Sequence, residues 1–203
     1  MSTYGRAWII LLSILALELV PFSLTFALSP PGLPGKLYEF DAAHWPAWLA
    51  ALTITVAYVA YAARAFPLIR ENFFRLDSMK VVAIVFAVVT GTVEELYFRK
   101  FLMDWAAHEG FAAVTQVGIS AIVFGAAHGI WGVFARQWRI AVGAMVATGF
   151  LGLLLALVYL AAGRHLAPCI WAHMLINLSI EPWLILGAAS AGSPARRRTR
   201  AAT

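Results

Sequence analysis

The chain has 203 residues, of which 62% are hydrophobic and 12% are charged. A mean hydropathy of +0.81 excludes an ordinary soluble domain and indicates a protein that lives in a bilayer. The single cysteine, Cys169, excludes a disulfide framework and a cysteine-based metal cage. We interpret the net charge of +5 as a topology signal rather than a nucleic-acid signal, because so apolar a chain has no surface left for a basic groove.

Six apolar segments are long enough to cross a hydrocarbon core of about 30 Å as helices. The sequence therefore predicts an all-α fold, a polytopic transmembrane helix bundle of about six spans. A proline-rich stretch after the first span, residues 29–35, is expected not to continue a helix. In chain order the predicted spans are Ala7–Leu28, Ala47–Phe66, Val81–Ala106, Ala112–Phe134, Ile140–Ala162 and Ala167–Ala189.

Lysine and arginine predict the orientation, because short cytoplasmic loops carry an excess of both. With a cytoplasmic N-terminus, eleven of these residues lie inside and three lie outside, which favours both termini in the cytoplasm. The predicted organisation is two N-terminal spans with loops in residues 1–80, a four-span core in residues 81–190 and a basic cytoplasmic tail in residues 191–203. The inside set is Arg6, Arg64, Arg70, Arg75, Lys80, Arg136, Arg139, Arg196, Arg197, Arg198 and Arg200, and the outside set is Lys36, Lys100 and Arg164.

Ionisable residues at membrane depth indicate a functional site, because each costs roughly 2.5–3.5 kcal/mol on insertion scales. Span three carries Glu94, Glu95 and Arg99. Glu95 and Arg99 are four residues apart, in the order that favours an ion pair along one helix face. Glu94 lies about 100° around the helix. The spacing therefore predicts one structural carboxylate, Glu95, and one carboxylate that is free for chemistry, Glu94.

Spans four and six bring further polar groups to the same depth. An antiparallel hairpin that turns between spans three and four places His128 level with Glu94, about 20 Å from the non-cytoplasmic end at a rise of about 1.5 Å per residue. In span six, His173 and Asn177 are four residues apart on one helix face and lie within about a turn of that level. Three spans are therefore expected to form one polar layer.

Water-mediated peptide hydrolysis is the chemistry that suits this set of residues. Glu94, assisted by His128, is predicted to hold and deprotonate a water, and general-base catalysis of this kind typically contributes about 10² to 10⁴ in rate. His173 and Asn177 are predicted to donate hydrogen bonds to the oxyanion of the tetrahedral intermediate, with roughly 3 to 4 kcal/mol per donor. Ser120 lacks a motif that would make it the nucleophile, and so does the lone cysteine.

Three motifs, in this order on successive apolar helices, resemble the CPBP family of intramembrane glutamic proteases, which includes type II CAAX prenyl endopeptidases and bacterial proteins linked to bacteriocin self-immunity. The resemblance covers about residues 81–190. It implies that Glu94 and His128 activate water, that His173 and Asn177 stabilise the transition state, and that Glu95, Arg99 and Phe124 are structural. The motifs are Glu-Glu-x-x-x-Arg at residues 94–99, Phe-x-x-x-His at 124–128 and His-x-x-x-Asn at 173–177.

Other interpretations of the layer stay open at this point. Glu94, His128 and His173 would also supply three zinc ligands, although there is no His-Glu-x-x-His helix and an asparagine in the layer is a better donor than ligand. A non-catalytic bacteriocin-immunity or peptide-binding membrane protein would use the same scaffold. A proton-coupled transporter is disfavoured, because the chain shows no repeated halves.

The expected partners are the lipid bilayer and a membrane-associated protein or peptide substrate, with no nucleic acid and no cofactor. The expected location is a bacterial inner membrane, and the sequence sets no oligomeric state. The sequence assigns no role to Glu18, and a pairing with a histidine or arginine of the core stays open. Pro182 is expected to end the regular helix after Glu181. Gly125 and the glycine four residues later form a small-xxx-small pattern, which favours close helix packing beside His128.

Overall fold

The computed structural model describes residues 2–30 and 33–191, and these ranges contain no strand. A 3-10 turn at Ala42–His44 precedes the second long helix, and a π-helical stretch at Leu96–Phe101 interrupts the third. The α-helices are α1 (Thr3–Leu28), α2 (Leu33–Tyr38), α3 (Trp45–Ala65), α4 (Pro67–Asn72), α5 (Ser78–Glu95), α6 (Leu102–His108), α7 (Ala113–Ala127), α8 (Ile130–Ala135), α9 (Trp138–Ala161) and α10 (Ala167–Ala191).

Six helical segments are long and apolar enough to span a membrane, which confirms the predicted all-α bundle of six spans. Most bounds agree to within a few residues. The exception is the second segment, which runs over Gly35–Ala65 because α2 and the 3-10 turn join the start of α3. As expected for residues 29–35, α1 does not continue into this stretch but ends at Leu28. A new helix, α2, begins at Leu33, since a proline in the first turn of a helix removes no needed N–H.

That both termini lie on the same side of the membrane stays a prediction. Which side is the cytoplasm stays a prediction. The predicted basic tail lies outside the described residues from Gly192 onward.

The outer surface of the bundle is apolar. Large side chains such as Leu17, Val56, Ile122 and Phe150 are more than half exposed. Such a surface would be unstable in water but needs no cover in hydrocarbon. The protein is therefore a multi-pass membrane protein.

Helix α10 is the central element, because it packs against α1, α3, α5, α8 and α9. It continues through Pro182 to Ala191, so the expectation that this proline ends the helix is wrong. Proline has no N–H to bond the carbonyl of Leu178, four residues earlier. The Lys80 ammonium donates to that carbonyl at 2.5 Å and replaces the missing bond.

The predicted close approach at Gly125 is present, between α7 and α9. A Cβ atom at Gly125 would lie 2.6 Å from the Met145 carbonyl oxygen and 2.9 Å from the Gly149 Cα. Contacts this short leave no room for any side chain. The small residues therefore bring the two backbones together next to His128.

Spans three and four are not the continuous α-helices that their apolar runs predict. In span three the Leu102 N–H bonds to the Tyr97 carbonyl, five residues back, which is the π-helical pattern. The neighbouring Phe98 carbonyl accepts a hydrogen bond from the Ser120 hydroxyl at 2.9 Å. Span four breaks after α7, where His128 forms the C-cap before α8 begins. Both irregularities lie beside the candidate site.

Candidate active site

Glu94, His128 and His173 meet inside the bundle, as the motifs predict. The Glu94 Oε2 atom lies 3.7 Å from Nε2 of His128 and 3.7 Å from Nε2 of His173. The glutamate is at the end of α5, His128 is in the turn after α7, and His173 is on α10. The Glu94 side chain is 19% exposed and the His173 side chain 2%. Both histidines thus face one oxygen of a carboxylate that is largely shielded.

The predicted Glu95–Arg99 ion pair is present and fully buried. Arg99 Nε is 3.1 Å from Glu95 Oε2, and neither side chain is exposed. The guanidinium also donates from Nη2 to the Gly152 carbonyl at 3.3 Å and lies 4.5 Å from the centroid of the Phe124 ring. A guanidinium over an aromatic face gains cation–π attraction that is strongest away from water. This cation therefore has partners on α9 and α7 as well as on its own helix.

Glu95 also contacts His173, which the spacing does not predict. His173 Nδ1 lies 2.7 Å from Glu95 Oε1. A carboxylate paired with an arginine accepts hydrogen bonds, so Nδ1 carries the hydrogen and donates it. The Nε2 atom that faces Glu94 then carries a hydrogen only when the ring is an imidazolium. A cation there would balance the charge of two carboxylates and one guanidinium, and buried charges are stable only when they are compensated.

The tautomer of His128 is also set by its surroundings. Its Nδ1 lies 2.9 Å from the Phe124 carbonyl oxygen, which can only accept, so Nδ1 carries the hydrogen. In the neutral ring, Nε2 is therefore an acceptor directed at Glu94. The Phe124 ring is fully buried, with its centroid 4.6 Å from that of His128 and 5.7 Å from that of His173. It packs between the two histidines.

Asn177, the last residue of the third motif, contacts a residue that the motifs do not include. Its Nδ2 donates to the Thr90 hydroxyl oxygen at 3.1 Å. Thr90 is buried on α5, one turn before Glu94 and on the same face, and this spacing is the signal that would have found it. A Cβ at Gly91 would lie 3.1 Å from Cγ of Met174, so α5 and α10 approach closely here.

Comparison with protein families gives one match. The model of the type II CAAX prenyl endopeptidase Rce1-like family matches residues 77–179, just over half of the chain. The chain belongs to this family. The matched region contains all seven predicted site residues, and Rce1-like proteins are membrane peptidases. No curated protein and no solved structure matches the chain significantly.

The Rce1-like core opens into a cavity of about 1180 Å³ between α1 and the π-helical part of span three. Its lining is mainly apolar, and Glu18 and Glu94 are its two ionisable members apart from Tyr97. Tyr97 and Phe101 are more than half exposed, so the cavity reaches the outer surface of the bundle. Within the described ranges Glu18 forms no ion pair with a histidine or arginine. It lines the cavity that Glu94 lines.

The two alternative nucleophiles of this Rce1-like chain bond to helix carbonyls. Besides the Ser120 contact with the π-helical stretch, the buried Cys169 thiol donates to the Leu155 carbonyl at 3.3 Å. Each of these hydrogen bonds links two neighbouring helical segments. Neither side chain is directed at Glu94.

Proposed function

We propose that the protein is an intramembrane endopeptidase that hydrolyses a peptide bond of a membrane-associated substrate with a water activated by Glu94 and His128. The observation that carries the proposal is the state of Glu94: its Oε2 has no hydrogen-bond partner, while two imidazole Nε2 atoms face it at 3.7 Å. These separations are too long for direct hydrogen bonds, and they support a water molecule that contacts all three groups.

The hydrolysis then proceeds by addition and elimination. Glu94 accepts one proton from the water, and the other hydrogen of the water is donated in a hydrogen bond to His128 Nε2. The water oxygen then adds to the carbonyl carbon of the substrate. The carbonyl oxygen becomes an oxyanion. The proton held by Glu94 passes to the amide nitrogen, the carbon–nitrogen bond breaks, and the two products are a carboxylic acid and an amine. No covalent enzyme intermediate forms.

His173 and Asn177 stabilise the oxyanion. His173 donates from Nε2 as an imidazolium, because its Nδ1–H is held by Glu95. Asn177 has a second amide hydrogen besides the one that it donates to Thr90. The buried surroundings strengthen both interactions, since donors that are already oriented need no rearrangement during the reaction.

The substrate is a membrane-associated protein or peptide, and the apolar cavity that reaches Glu94 supports an apolar segment next to the cleaved bond. The distribution of lysine and arginine supports both termini in the cytoplasm. The proposed location is a bacterial inner membrane. Catalysis is proposed to be of the glutamic type and independent of metal.

The test compares Glu94→Gln with Glu109→Gln, a matched charge-neutralising variant at an exposed position directly after the end of the same span. Each protein is reconstituted in liposomes with a quenched-fluorescent farnesylated CAAX peptide, and is expressed in cells whose membrane proteome is searched for uncleaved precursors. We expect Glu94→Gln alone to lose cleavage and accumulate precursor. Equal cleavage by wild type and Glu94→Gln would overturn the proposal and leave a binding or immunity role.

A second assay separates the glutamic mechanism from a zinc enzyme. We expect a membrane-permeable chelator such as 1,10-phenanthroline to leave the initial rate unchanged. A loss of rate that added zinc restores would instead make Glu94, His128 and His173 metal ligands.

A further inference from the structure

A second group of ligating side chains lies at one end of the bundle, away from the active site. Asp41, His44 and His165 each offer a ligand atom, and these atoms all lie within 4.8 Å of one another. Two imidazoles and one carboxylate are a donor set that Zn²⁺ binds in proteins, with a water in the fourth position. His165 precedes His173 by eight residues, which is about 12 Å along a helix, so this group is separate from the catalytic layer.

Local contacts hold the first two ligands in place. Asp41 Oδ1 accepts a hydrogen bond from the Ala43 N–H at 2.8 Å, at the start of the 3-10 turn. Asp41 Oδ2 lies 2.9 Å from His44 Nδ1. The carboxylate and the imidazole are therefore oriented together before any ion binds, which lowers the entropy lost on binding.

The third ligand comes from the loop between α9 and α10. The centroids of the His44 and His165 rings are 4.7 Å apart. Gly163 has a φ of +59°, which favours glycine, and a Cβ there would lie 3.3 Å from His44 Nε2, so the loop passes close to this imidazole. Trp171 Nε1, in the first two turns of α10, donates to the carbonyl of Tyr38 at the end of α2 at 3.1 Å.

We propose that Asp41, His44 and His165 bind Zn²⁺ and that the ion clamps the segment before α3 to the loop before α10. Zinc bonds of about 2.0 Å place tetrahedral ligands about 3.3 Å apart. The ligand atoms thus have to close from at most 4.8 Å, and His165, which is exposed, is free to rotate inward. The Asp41 and His44 side chains are 44% and 26% exposed, so an ion in water reaches the group. The inference does not depend on the proposed peptidase activity.

The test measures zinc binding by the full chain in detergent, purified without a polyhistidine tag and stripped with EDTA. Zinc chloride is titrated by calorimetry, and thermal unfolding is followed with and without zinc. The variants are His165→Ala, His44→Ala, the exposed control His108→Ala from the same end of the bundle, and His128→Ala from the catalytic layer.

We expect His165→Ala and His44→Ala to bind one zinc equivalent fewer than wild type and to lose the zinc-induced rise in Tm. His108→Ala and His128→Ala should bind as wild type does. His165→Ala is exposed and should fold normally, so unchanged stoichiometry and affinity in that variant would overturn the proposal. Loss of the zinc equivalent in His128→Ala instead would also overturn it and would place the ion in the active site.

Discussion

Two carboxylates of the third span have opposite surroundings. Asp104 Oδ1 accepts hydrogen bonds from Arg164 at 2.6 Å and from the Tyr159 hydroxyl at 3.0 Å, and its Oδ2 lies 2.8 Å from the Lys100 ammonium. Glu94 Oε2 is buried and has no hydrogen-bond partner. The difference teaches that charge alone does not identify the active site of this bundle. The informative residue is the carboxylate that the fold leaves able to accept another hydrogen bond.

The same contrast holds for the two clusters as wholes. The rim cluster consists of Lys100, Asp104, Gln116, Tyr159 and Arg164, and its Asp104 and Arg164 side chains are about one-third exposed, at 29% and 32%. In the catalytic layer, the Glu95–Arg99 pair is fully buried. Solvent screens the first set of interactions and not the second. Changes in the layer should therefore have much larger effects than changes at the rim.

The largest expected effect separates the two carboxylates directly. We expect Glu94→Gln to lower kcat by about 10² to 10⁴, since it removes the proposed general base, with little change in Tm. Asp104→Asn should keep most of the activity and lower Tm instead. Peptide cleavage in liposomes and thermal unfolding in detergent measure the two effects. The contrast between Glu94 and Asp104 would be wrong if the Asp104→Asn variant folded but lost as much activity as Glu94→Gln.

The next effect concerns the buried ion pair. Arg99→Met leaves the Glu95 carboxylate buried without its cation, and we expect a loss of about 3 to 5 kcal/mol in the free energy of unfolding. The double variant Glu95→Gln/Arg99→Met should lose less than Arg99→Met alone, because no uncompensated charge remains. Unfolding by SDS titration measures the stability of the wild type, Glu95→Gln, Arg99→Met and the double variant, which together form a double-mutant cycle. Additive losses would show that the two residues do not stabilise each other.

A smaller effect is expected where α7 meets α9. Gly125→Ala should destabilise the protein by about 1 to 3 kcal/mol, because its methyl group meets the backbone of the other helix. Gly143→Ala on α9 is the matched control, since a Cβ there has nothing within 4 Å. The same SDS titration compares the two variants. Similar stability of both would mean that the contact at Gly125 relaxes at little cost.

The smallest effect belongs to the rim. The Lys100 side chain is 56% exposed, and its pair with Asp104 is of the surface type. We expect Lys100→Met to cost less than about 1 kcal/mol, because such pairs contribute little in a high dielectric. The loss should shrink further in 1 M salt. A loss of several kcal/mol in the free energy of unfolding that is independent of salt would show that the Lys100–Asp104 pair behaves as a buried ion pair.

The apolar runs predicted the six spans, and residue spacing predicted both the Glu95–Arg99 pair and the meeting of Glu94 with His128. These features depend on helix period and on antiparallel connection, which a sequence encodes locally. The contact between His173 and Glu95 was not predicted, since it depends on how α10 is rotated against α5. The position of Glu18 in the cavity likewise depends on how α1 packs. The break at His128 was also missed, because apolar residues continue on both sides of it.

The π-helical stretch has a consequence for the geometry of the third span. Glu95 and Asp104 are nine residues apart, which in a regular α-helix is about 180°, so they would lie on opposite sides. A π turn holds about one residue more than an α turn and reduces this angle to about 80°. Asp104 can thus reach α9 while Glu95 faces α10. The extra residue of the π turn thus rotates Asp104 relative to Glu95. Deleting one residue from Leu96–Phe101 would restore the regular α-helical angle between them while changing the hydropathy of the span little.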